Sequence, residues 1–189
     1  MCRGSCLIFI KQSIPDLILS KPNTNLDNRG YFMETYRKDL LEEALGYKVN
    51  FVQDNESKST RGVLRGLHYQ LPPYSQAKLV RVIEGRVLDV AVDIRKSSPT
   101  FSQHVAVELS SENNYQLFIP RGFAHGFVVL SDSATFEYKV DNYFAQDYCR
   151  GIAYDDKDLD IDWKLSYIDL KLSDKDKSNP NLANAKNLL

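Results

Sequence analysis

The chain has 189 residues, of which 43% are hydrophobic and 11% aromatic, enough apolar material for one packed domain. Its 24 basic and 25 acidic residues give a net charge of −1, so the composition does not indicate a surface for nucleic acid. No stretch has the length and apolarity of a membrane span, and the apolar run near the start lacks a signal-peptide cleavage site. Three cysteines without a CxxC pair (Cys2, Cys6 and Cys149) argue against a disulfide framework or a zinc site. We therefore expect a reduced, cytoplasmic protein with no nucleic-acid or membrane partner.

The predicted elements are mostly strands. A first strand over residues 6–11 is followed by a helix over 37–45, which places Leu41 and Leu45 on one face and ends at Gly46. Further strands are predicted over residues 49–55, 63–70, 78–84, 86–94, 104–109, 116–120, 126–130 and 135–140. This succession of short strands with turns between them favours an all-β jelly roll over alternating βα units. No linker or repeat divides the chain, so residues 1–189 are expected to form a single domain.

The strand predicted over residues 86–94 alternates apolar and acidic residues. Leu88, Val90 and Val92 fall on one face of this strand, and Asp89 and Asp93 fall on the other. The pattern predicts that the apolar face packs in the core and that the two carboxylates share the opposite side of the sheet.

Two of the three histidines, His68 and His125, lie in short apolar segments interrupted by glycine, as is typical of a β-barrel pocket. A histidine in such a segment can bind a metal, transfer protons or be a hydrogen-bonded core residue. The sequence has no His-x-His pair and no carboxylate adjoining either histidine at ligand spacing, so a metal site is the least favoured of these. The polar residues around His68 favour proton transfer over a purely structural role.

Polar residues close to His68 in sequence pose a geometric question. In a regular strand Arg65 and His68 point to opposite faces, so both line one pocket only if Gly66 lies at a bulge. Lys78 begins an apolar strand and is either a solvated edge charge or a cation directed inward. Tyr138 taken alone is expected to be an amphipathic barrel residue, because any one of eleven tyrosines is more often structural than functional.

A series of motifs in order carries a resemblance to a known family. They lie at residues 27–34, 51–55, 65–70, 76–81, 89–95, 98–101, 119–127, 138–139 and 161–163. Together they resemble the dTDP-4-dehydrorhamnose 3,5-epimerase family, which are metal-free, cupin-like sugar-nucleotide epimerases. The resemblance implies a cupin-like jelly-roll barrel with a few short helices, a homodimer, and no metal or other cofactor. It also implies that the polar segment at about 173–189, which composition alone predicts to be a frayed tail, folds over the barrel mouth.

The resemblance also implies a role for individual residues. His68 is similar to the general base of the family, and Asp176 to the carboxylate that orients it. Tyr138 resembles the general acid on the opposite face of the sugar, and Lys78 the cation near the carbonyl oxygen. The positions that resemble substrate contacts are Arg29, Glu34, Gln53, Asn55, Arg65, His125, Lys175 and Phe144. The resemblance implies that Phe144 stacks on the nucleobase. It also implies that Arg29 and Glu34 reach across a dimer interface. Cys149 departs from the family pattern, because many members have an acidic substrate-contacting residue there.

These implications predict an isomerase that inverts carbons 3 and 5 of dTDP-4-dehydro-6-deoxy-D-glucose to give dTDP-4-dehydro-L-rhamnose. Alternatives of three kinds stay open. The protein could invert a single carbon or act on another nucleotide 4-keto sugar, and the departure at Cys149 leaves the identity of the nucleotide sugar open. It could be a sugar-nucleotide-binding barrel without turnover, or a metal-dependent cupin, which the missing His-x-His pair disfavours.

Overall fold

A computed structural model describes residues 7–186 and Leu188. Cys2 and Cys6 lie outside the described residues. The segment predicted over 173–189 is described except for residues 187 and 189. The strands are β1 (Leu7–Lys11), β2 (Ile18–Pro22), β3 (Asn25–Asp27), β4 (Gly30–Phe32), β5 (Gln53–Thr60), β6 (Leu64–Gln70), β7 (Lys78–Glu84), β8 (Arg86–Asp93), β9 (His104–Ser110), β10 (Gln116–Ile119), β11 (Phe123–Val129), β12 (Ser133–Val140) and β13 (Cys149–Gly151). The α-helices are α1 (Lys38–Leu45) and α2 (Asp174–Lys177), and short 3₁₀ helices cover Gln146–Tyr148, Tyr167–Asp169 and Leu182–Asn184.

The strands form two antiparallel sheets and a small hairpin. The six-stranded sheet has the order β1-β2-β10-β7-β12-β5, the five-stranded sheet has the order β13-β6-β11-β8-β9, and β3 pairs with β4. Consecutive strands repeatedly lie in different sheets, which is the connectivity of a jelly roll. The predicted all-β jelly-roll barrel with a few short helices is confirmed. No helix in the part of the chain that the structure describes has the length and apolarity to cross a membrane.

The apolar core has three layers. Between the two sheets lies a cluster that includes Val80, Leu117, Phe127 and Phe136. A second cluster lies on the outer face of the five-stranded sheet, where C-terminal residues such as Trp163 pack against β6, β8 and β11. The third lies on the outer face of the six-stranded sheet under α1. Burial of apolar area at about 25 cal/mol per Å² makes these layers the main stabilising contribution.

Strand β8 is buried on both faces. Leu88, Val90 and Val92 share one face, as predicted, and pack in the cluster under the C-terminal residues. The opposite face lies toward the barrel interior, where Asp89 and Asp93 have no exposed surface. A carboxylate is costly in such a place unless it is hydrogen-bonded, and each of the two has its own partners.

The helix α1 agrees with its prediction to within one residue. Its buried residue is Leu41, and Gly46 ends it with a φ of 77° while its N–H donates to the Glu42 carbonyl at 2.9 Å. That left-handed conformation favours glycine because a Cβ atom would crowd the following carbonyl.

Several predicted boundaries are wrong. The strand predicted over 49–55 begins at Gln53 and continues to Thr60, paired along its length with β12, while Val49 packs under α1. The short strands β2, β3, β4 and β13 were not predicted, because three to five residues carry too little periodicity. The frayed tail predicted from composition is wrong for the described residues, since 174–177 form α2 and Leu182 is buried in the outer cluster.

Gly85 in the β7–β8 hairpin offers a test of backbone packing. Its φ of 81° is close to that of Gly46, but an added Cβ atom at Gly85 would overlap the Ser133 carbonyl oxygen, whereas at Gly46 it would meet nothing. We expect Gly46→Ala to cost about 1–2 kcal/mol of unfolding free energy from backbone strain alone. Gly85→Ala should cost about 1–3 kcal/mol more because of the overlap. Urea denaturation of both variants measures this, and equal losses would contradict it.

Candidate active site

A cavity of about 530 Å³ opens between the two sheets. One wall is formed by residues of the five-stranded sheet and the other by residues of the six-stranded sheet, and the C-terminal segment adds a third side. The residues that line it are Glu56, Ser57, Val63, Leu64, Arg65, His68, Lys78, His125, Phe127, Phe136, Tyr138, Lys171, Leu172, Ser173, Lys175 and Asp176. Four of these are lysine or arginine and two carry carboxylates, so the cavity suits an anionic ligand.

A bulge in β6 brings Arg65 and His68 to the same cavity. His68 pairs with His125 of β11 and Arg65 pairs with Phe127, so two residues of β6 lie opposite one residue of β11. Gly66 at this bulge has a φ of 137°, and an added Cβ atom would lie 2.5 Å from the Gly126 Cα atom. The predicted bulge at Gly66 is confirmed, and its cause is the close approach of two glycine backbones.

His68 forms a short hydrogen bond with Asp176. Its Nε2 atom lies 2.6 Å from the Asp176 Oδ1 atom, and the carboxylate is almost fully buried while the imidazole is partly open to the cavity. Ser173 caps α2 by accepting the Asp176 backbone N–H at 3.1 Å, which fixes the helix that carries the carboxylate. Burial opposes ionisation of Asp176, but hydrogen bonds from His68, Ser173 and the Gly66 amide hold the pKa of that carboxyl below its usual value. The anion therefore fixes the proton of a neutral His68 on Nε2 and leaves Nδ1 as the proton acceptor.

Lys78 is a cation directed inward. It is the first residue of β7, is half-buried, and lines the cavity from the six-stranded sheet. Burial lowers the pKa of its ammonium group to about 8, while the nearby Asp89 carboxylate and the Cys149 thiol act in the opposite direction. The structure thus decides between the two alternatives that the sequence left open. A desolvated ammonium group of this kind interacts strongly with any negative charge that develops beside it.

His125 and Asp89 form a second imidazole–carboxylate pair. The His125 Nε2 atom donates to Asp89 Oδ1 at 2.7 Å, and both side chains are buried. Burial lowers the pKa of His125 despite the opposing effect of the Asp89 carboxylate, and Lys78 and His68 add to the lowering, so this imidazole is neutral near pH 7. The Asp89 Oδ2 atom has no hydrogen-bond partner among the described residues, although Lys78 lies near enough to interact with it electrostatically.

Tyr138 faces His68 and His125 from the six-stranded sheet. It lies on β12, lines the cavity, and packs against Phe136, which in turn stacks on Phe127 with ring centroids 4.1 Å apart. Burial raises the pKa of its hydroxyl, while the nearby Arg65 acts in the opposite direction. The phenol therefore keeps its proton at neutral pH and can act as a donor.

The other predicted site residues fall into two groups. Arg65, His125 and Lys175 line the main cavity, and Phe144 lines a smaller one of about 110 Å³ that shares His68, Lys78 and Tyr138 with it. Four residues, namely Arg29, Glu34, Gln53 and Asn55, line neither cavity within one chain. The first lies on the exposed β3–β4 hairpin, and the last two are hydrogen-bonded to each other on β5. Their substrate contacts stay predictions.

Asp89 and Cys149 were not among the predicted site residues. Asp89 contacts His125 across β8 and β11, a pairing that requires the strand register and could not be derived from its position in sequence. Cys149 on β13 lines the smaller cavity and accepts a hydrogen bond from the Lys175 ammonium group at 3.6 Å. Its departure from the family pattern was the signal that could have singled it out.

Among the residues described, no group of three or more His, Cys, Asp or Glu side chains could hold a metal ion. The two histidines of the cavity each have a carboxylate partner on a different element, and their Cα atoms are paired across neighbouring strands. The arrangement can transfer protons on two sides of a bound ligand and can stabilise negative charge between them.

The lowered pKa of Lys78 predicts a pH dependence of stability. Between pH 8 and 10.5 the unfolded chain holds a proton on this lysine that the folded chain has released, so folding becomes more favourable as the pH rises. We expect the unfolding free energy of the wild type to increase relative to Lys78→Met across this window. The exposed Lys157 provides the matched control, and Lys157→Met should show a constant difference. Urea denaturation from pH 7 to pH 10.5 measures both, and a constant difference for Lys78→Met would contradict the assignment.

Comparisons with known proteins agree with this geometry. A family model described as dTDP-4-dehydrorhamnose 3,5-epimerase matches residues 11–184. The dTDP-4-dehydrorhamnose 3,5-epimerase of Shigella flexneri is 58% identical over 167 residues, which cover 88% of this chain and 91% of that protein. The crystal structure of dTDP-4-dehydrorhamnose 3,5-epimerase from Elizabethkingia anophelis has a TM-score of 0.92 and 47% identity, and the comparison covers 96% of this chain and 99% of that one. The structure of dTDP-6-deoxy-D-glucose-3,5-epimerase from Legionella pneumophila in complex with dTDP-4-keto-L-rhamnose has a TM-score of 0.91 and 47% identity, with 95% of each chain covered. The chain therefore belongs to the dTDP-4-dehydrorhamnose 3,5-epimerase family of isomerases.

Proposed function

We propose that this protein epimerises carbons 3 and 5 of dTDP-4-dehydro-6-deoxy-D-glucose to give dTDP-4-dehydro-L-rhamnose. The observation that carries the proposal is one cavity where two facing sheets contribute a carboxylate-paired imidazole, a desolvated ammonium group and a protonated phenol. Each of these groups corresponds to a chemical need of the reaction. The membership in the family supports the same activity.

The first need is to make a C–H bond acidic enough to break. The ketone at carbon 4 activates the hydrogens on carbons 3 and 5, but such a C–H is a weaker acid than imidazolium by about 10 pKa units, or about 14 kcal/mol. Most of this gap is closed by stabilising the negative oxygen of the enolate. The Lys78 ammonium group suits this task, since one preorganised donor in a desolvated site contributes about 3–4 kcal/mol.

The second need is a base and an acid on opposite faces of the sugar ring. In the proposed mechanism His68 accepts the proton on Nδ1, and the Asp176 anion stabilises the imidazolium that results. Tyr138 then donates its hydroxyl proton to the same carbon from the other sheet, which inverts the configuration. The Arg65 guanidinium lies near the resulting phenolate and stabilises its negative charge. Proton exchange with solvent resets both groups for the second carbon.

The third need is to bind the nucleoside diphosphate part of the substrate. Arg65, Lys171 and Lys175 border the cavity and supply cations for the two phosphates, and Phe144 is exposed enough to stack on a nucleobase. We propose that Gln53, Asn55 and His125 contact the substrate as well.

We also propose that the protein is a cytoplasmic homodimer in which Arg29 and Glu34 complete the partner's site. The β3–β4 hairpin supports this because Leu26, Tyr31 and Phe32 are exposed on it, as expected for a surface that another chain covers. The buried Glu34 Oε2 atom has no hydrogen-bond partner among the described residues, which fits an incomplete environment. Three cysteines without a CxxC pair fit a reducing compartment.

Incubation with dTDP-4-dehydro-6-deoxy-D-glucose in heavy water tests the proposed activity. We expect deuterium at both carbons 3 and 5, detected by proton NMR, and a product with L-rhamno stereochemistry. His68→Ala should lower the exchange rate by about 10²–10⁴-fold, because it removes the general base. Substrate affinity, measured by calorimetry, should change much less.

The outcomes separate the alternatives. Deuterium at one carbon alone would identify a single-carbon epimerase. An unreactive wild type that binds the nucleotide sugar would identify a non-catalytic binding barrel, and exchange that follows added iron, manganese or zinc would identify a metal-dependent enzyme.

Tyr138→Phe should separate exchange from inversion. Without the phenolic proton donor, His68 can still remove a proton and return deuterium to the same face, so exchange should continue while epimerised product falls by about 10²-fold or more. Tyr154→Phe is a matched control, because Tyr154 lies outside both cavities and is also partly buried. Chiral analysis of the product by NMR measures the ratio, and equal loss of exchange and inversion would contradict the role of Tyr138.

A further inference from the structure

The Asp176 carboxylate lies on a helix that cannot hold its own position. Helix α2 has four residues, and isolated helices of that length are unstable. Its location therefore depends on how the chain is fixed before and after it. Before it, the Lys171 N–H donates to the Gly62 carbonyl at 2.8 Å, and the Leu64 N–H donates to the Lys171 carbonyl at 3.0 Å. We call residues 178–182, which follow the helix, the C-terminal strap.

The strap is fixed by a buried carboxylate that is not part of the cavity. Asp156 is only 4% exposed, and its Oδ2 atom accepts the Leu182 N–H at 2.6 Å. Its Oδ1 atom accepts the Asp158 N–H at 2.9 Å and the Leu159 N–H at 3.4 Å, which shapes its own turn. Among the described residues it forms no salt bridge, so its hydrogen bonds all come from backbone amides. A buried anion satisfied in this way is a strong and directional anchor.

The segment that carries Asp156 also adjoins His68. Gly151 of β13 is the Cα partner of His68, and the Asn179 side chain of the strap occupies the space where a Gly151 Cβ atom would lie. Two residues further on, the Ala153 N–H donates to the Pro180 carbonyl at 2.9 Å. One short segment, 151–156, is thus attached both to the strand of the imidazole and to the strap that follows the carboxylate.

We propose that Asp156 is a positioning residue for the reaction, which fixes the C-terminal strap and thereby holds Asp176 at hydrogen-bond distance from His68. The inference rests on the proposed function for its catalytic consequence. Asp156 touches neither the cavity nor the substrate that the cavity would hold, so it acts only through the His68–Asp176 pair. A displacement of about 1 Å at such a pair lowers a rate about 100-fold.

Asp156→Asn changes this anchor with little change of shape. An asparagine side chain has one oxygen, which accepts hydrogen bonds, and one NH₂ group, which donates them. At one of the two carboxylate oxygen positions an NH₂ group would therefore face a backbone N–H, and two donors cannot form a hydrogen bond. The turn at 158–159 and the Leu182 bond cannot both persist. The exposed Asp158 side chain gives the matched control, because Asp158→Asn removes the same charge from the same turn and leaves the Asp156 carboxylate intact.

The first readout does not depend on activity. The His68 imidazole N–H that donates to Asp176 should give a downfield proton resonance that exchanges slowly with water, assigned by its loss in His68→Gln. Asp176→Asn should abolish this resonance, Asp156→Asn should broaden or abolish it, and Asp158→Asn should leave it unchanged. A sharp, unshifted resonance in a folded Asp156→Asn protein would overturn the inference. If the resonance responds as expected but the wild type exchanges no deuterium, the proposed function is wrong and the positioning role stands.

The second readout is a double-mutant cycle on deuterium exchange, for which long incubations keep slow variants measurable. Asp156→Asn should lower kcat by about 10–100-fold in the wild type. In an Asp176→Asn background it should lower kcat by less than about twofold, because the group through which it acts is already impaired. Equal losses in both backgrounds would show a general structural effect and overturn the inference.

A second variant covers the case in which Asp156→Asn does not fold. Leu182→Pro removes the N–H that binds Asp156, and proline is tolerated at the first position of the 3₁₀ helix after an extended Asn181. Leu182→Ala also removes the leucine side chain from the outer cluster, but it keeps the N–H that donates to Asp156. We expect Leu182→Pro to weaken the His68 resonance and lower kcat at least tenfold relative to Leu182→Ala, and equal values for the two variants would overturn the inference.

Discussion

The hydrogen bond between His68 and Asp176 is the interaction on which the rest of the site depends. It joins residues 108 positions apart, one on a barrel strand and one on a four-residue helix near the end of the chain. Because the carboxylate accepts the hydrogen bond from the Nε2–H group, the proton of the neutral imidazole stays on Nε2, and Nδ1 is left to accept a proton from a ligand. It also brings the polar C-terminal segment to the cavity, where Lys175 adds a cation. Composition favours disorder for such a segment, so this contact and the burial of Leu182 are what make its order favourable.

The cavity concentrates groups that oppose stability. Lys78 is desolvated, His125 is held neutral, and Asp89 is fully buried with one oxygen that has no hydrogen-bond partner among the described residues. Each of these groups makes the folded protein less stable than apolar side chains of the same volume would make it. The three core layers offset this cost, and the face of β8 opposite Asp89 contributes Leu88, Val90 and Val92 to one of them. Preorganised charge of this kind is useful for catalysis because it does not have to reorganise when an enolate forms.

The sequence predicted the elements whose signal is local. The alternation of β8, the end of α1 at Gly46 and the bulge at Gly66 could all be read from a few neighbouring residues. What could not be predicted depends on partners far away in sequence. Strand β5 is polar along its length and is a strand because β12 pairs with it, so its composition gave the wrong start. The inward direction of Lys78 and the contact of Asp89 with His125 follow from the way the two sheets face each other, which periodicity does not reveal.

A barrel of two sheets suits a reaction that inverts carbon. Facing sheets lie about 10 Å apart, which leaves room for one sugar ring between them. In the proposed mechanism the base comes from β6 in one sheet and the acid from β12 in the other, so the two faces of the ring meet different groups without any motion of the chain. Carbons 3 and 5 flank the same ketone, so in that mechanism one ammonium group at its oxygen stabilises the enolate formed in either direction. In the proposed mechanism Lys78 therefore serves both carbons, and both inversions depend on the placement of Asp176 beside His68 rather than on a second base.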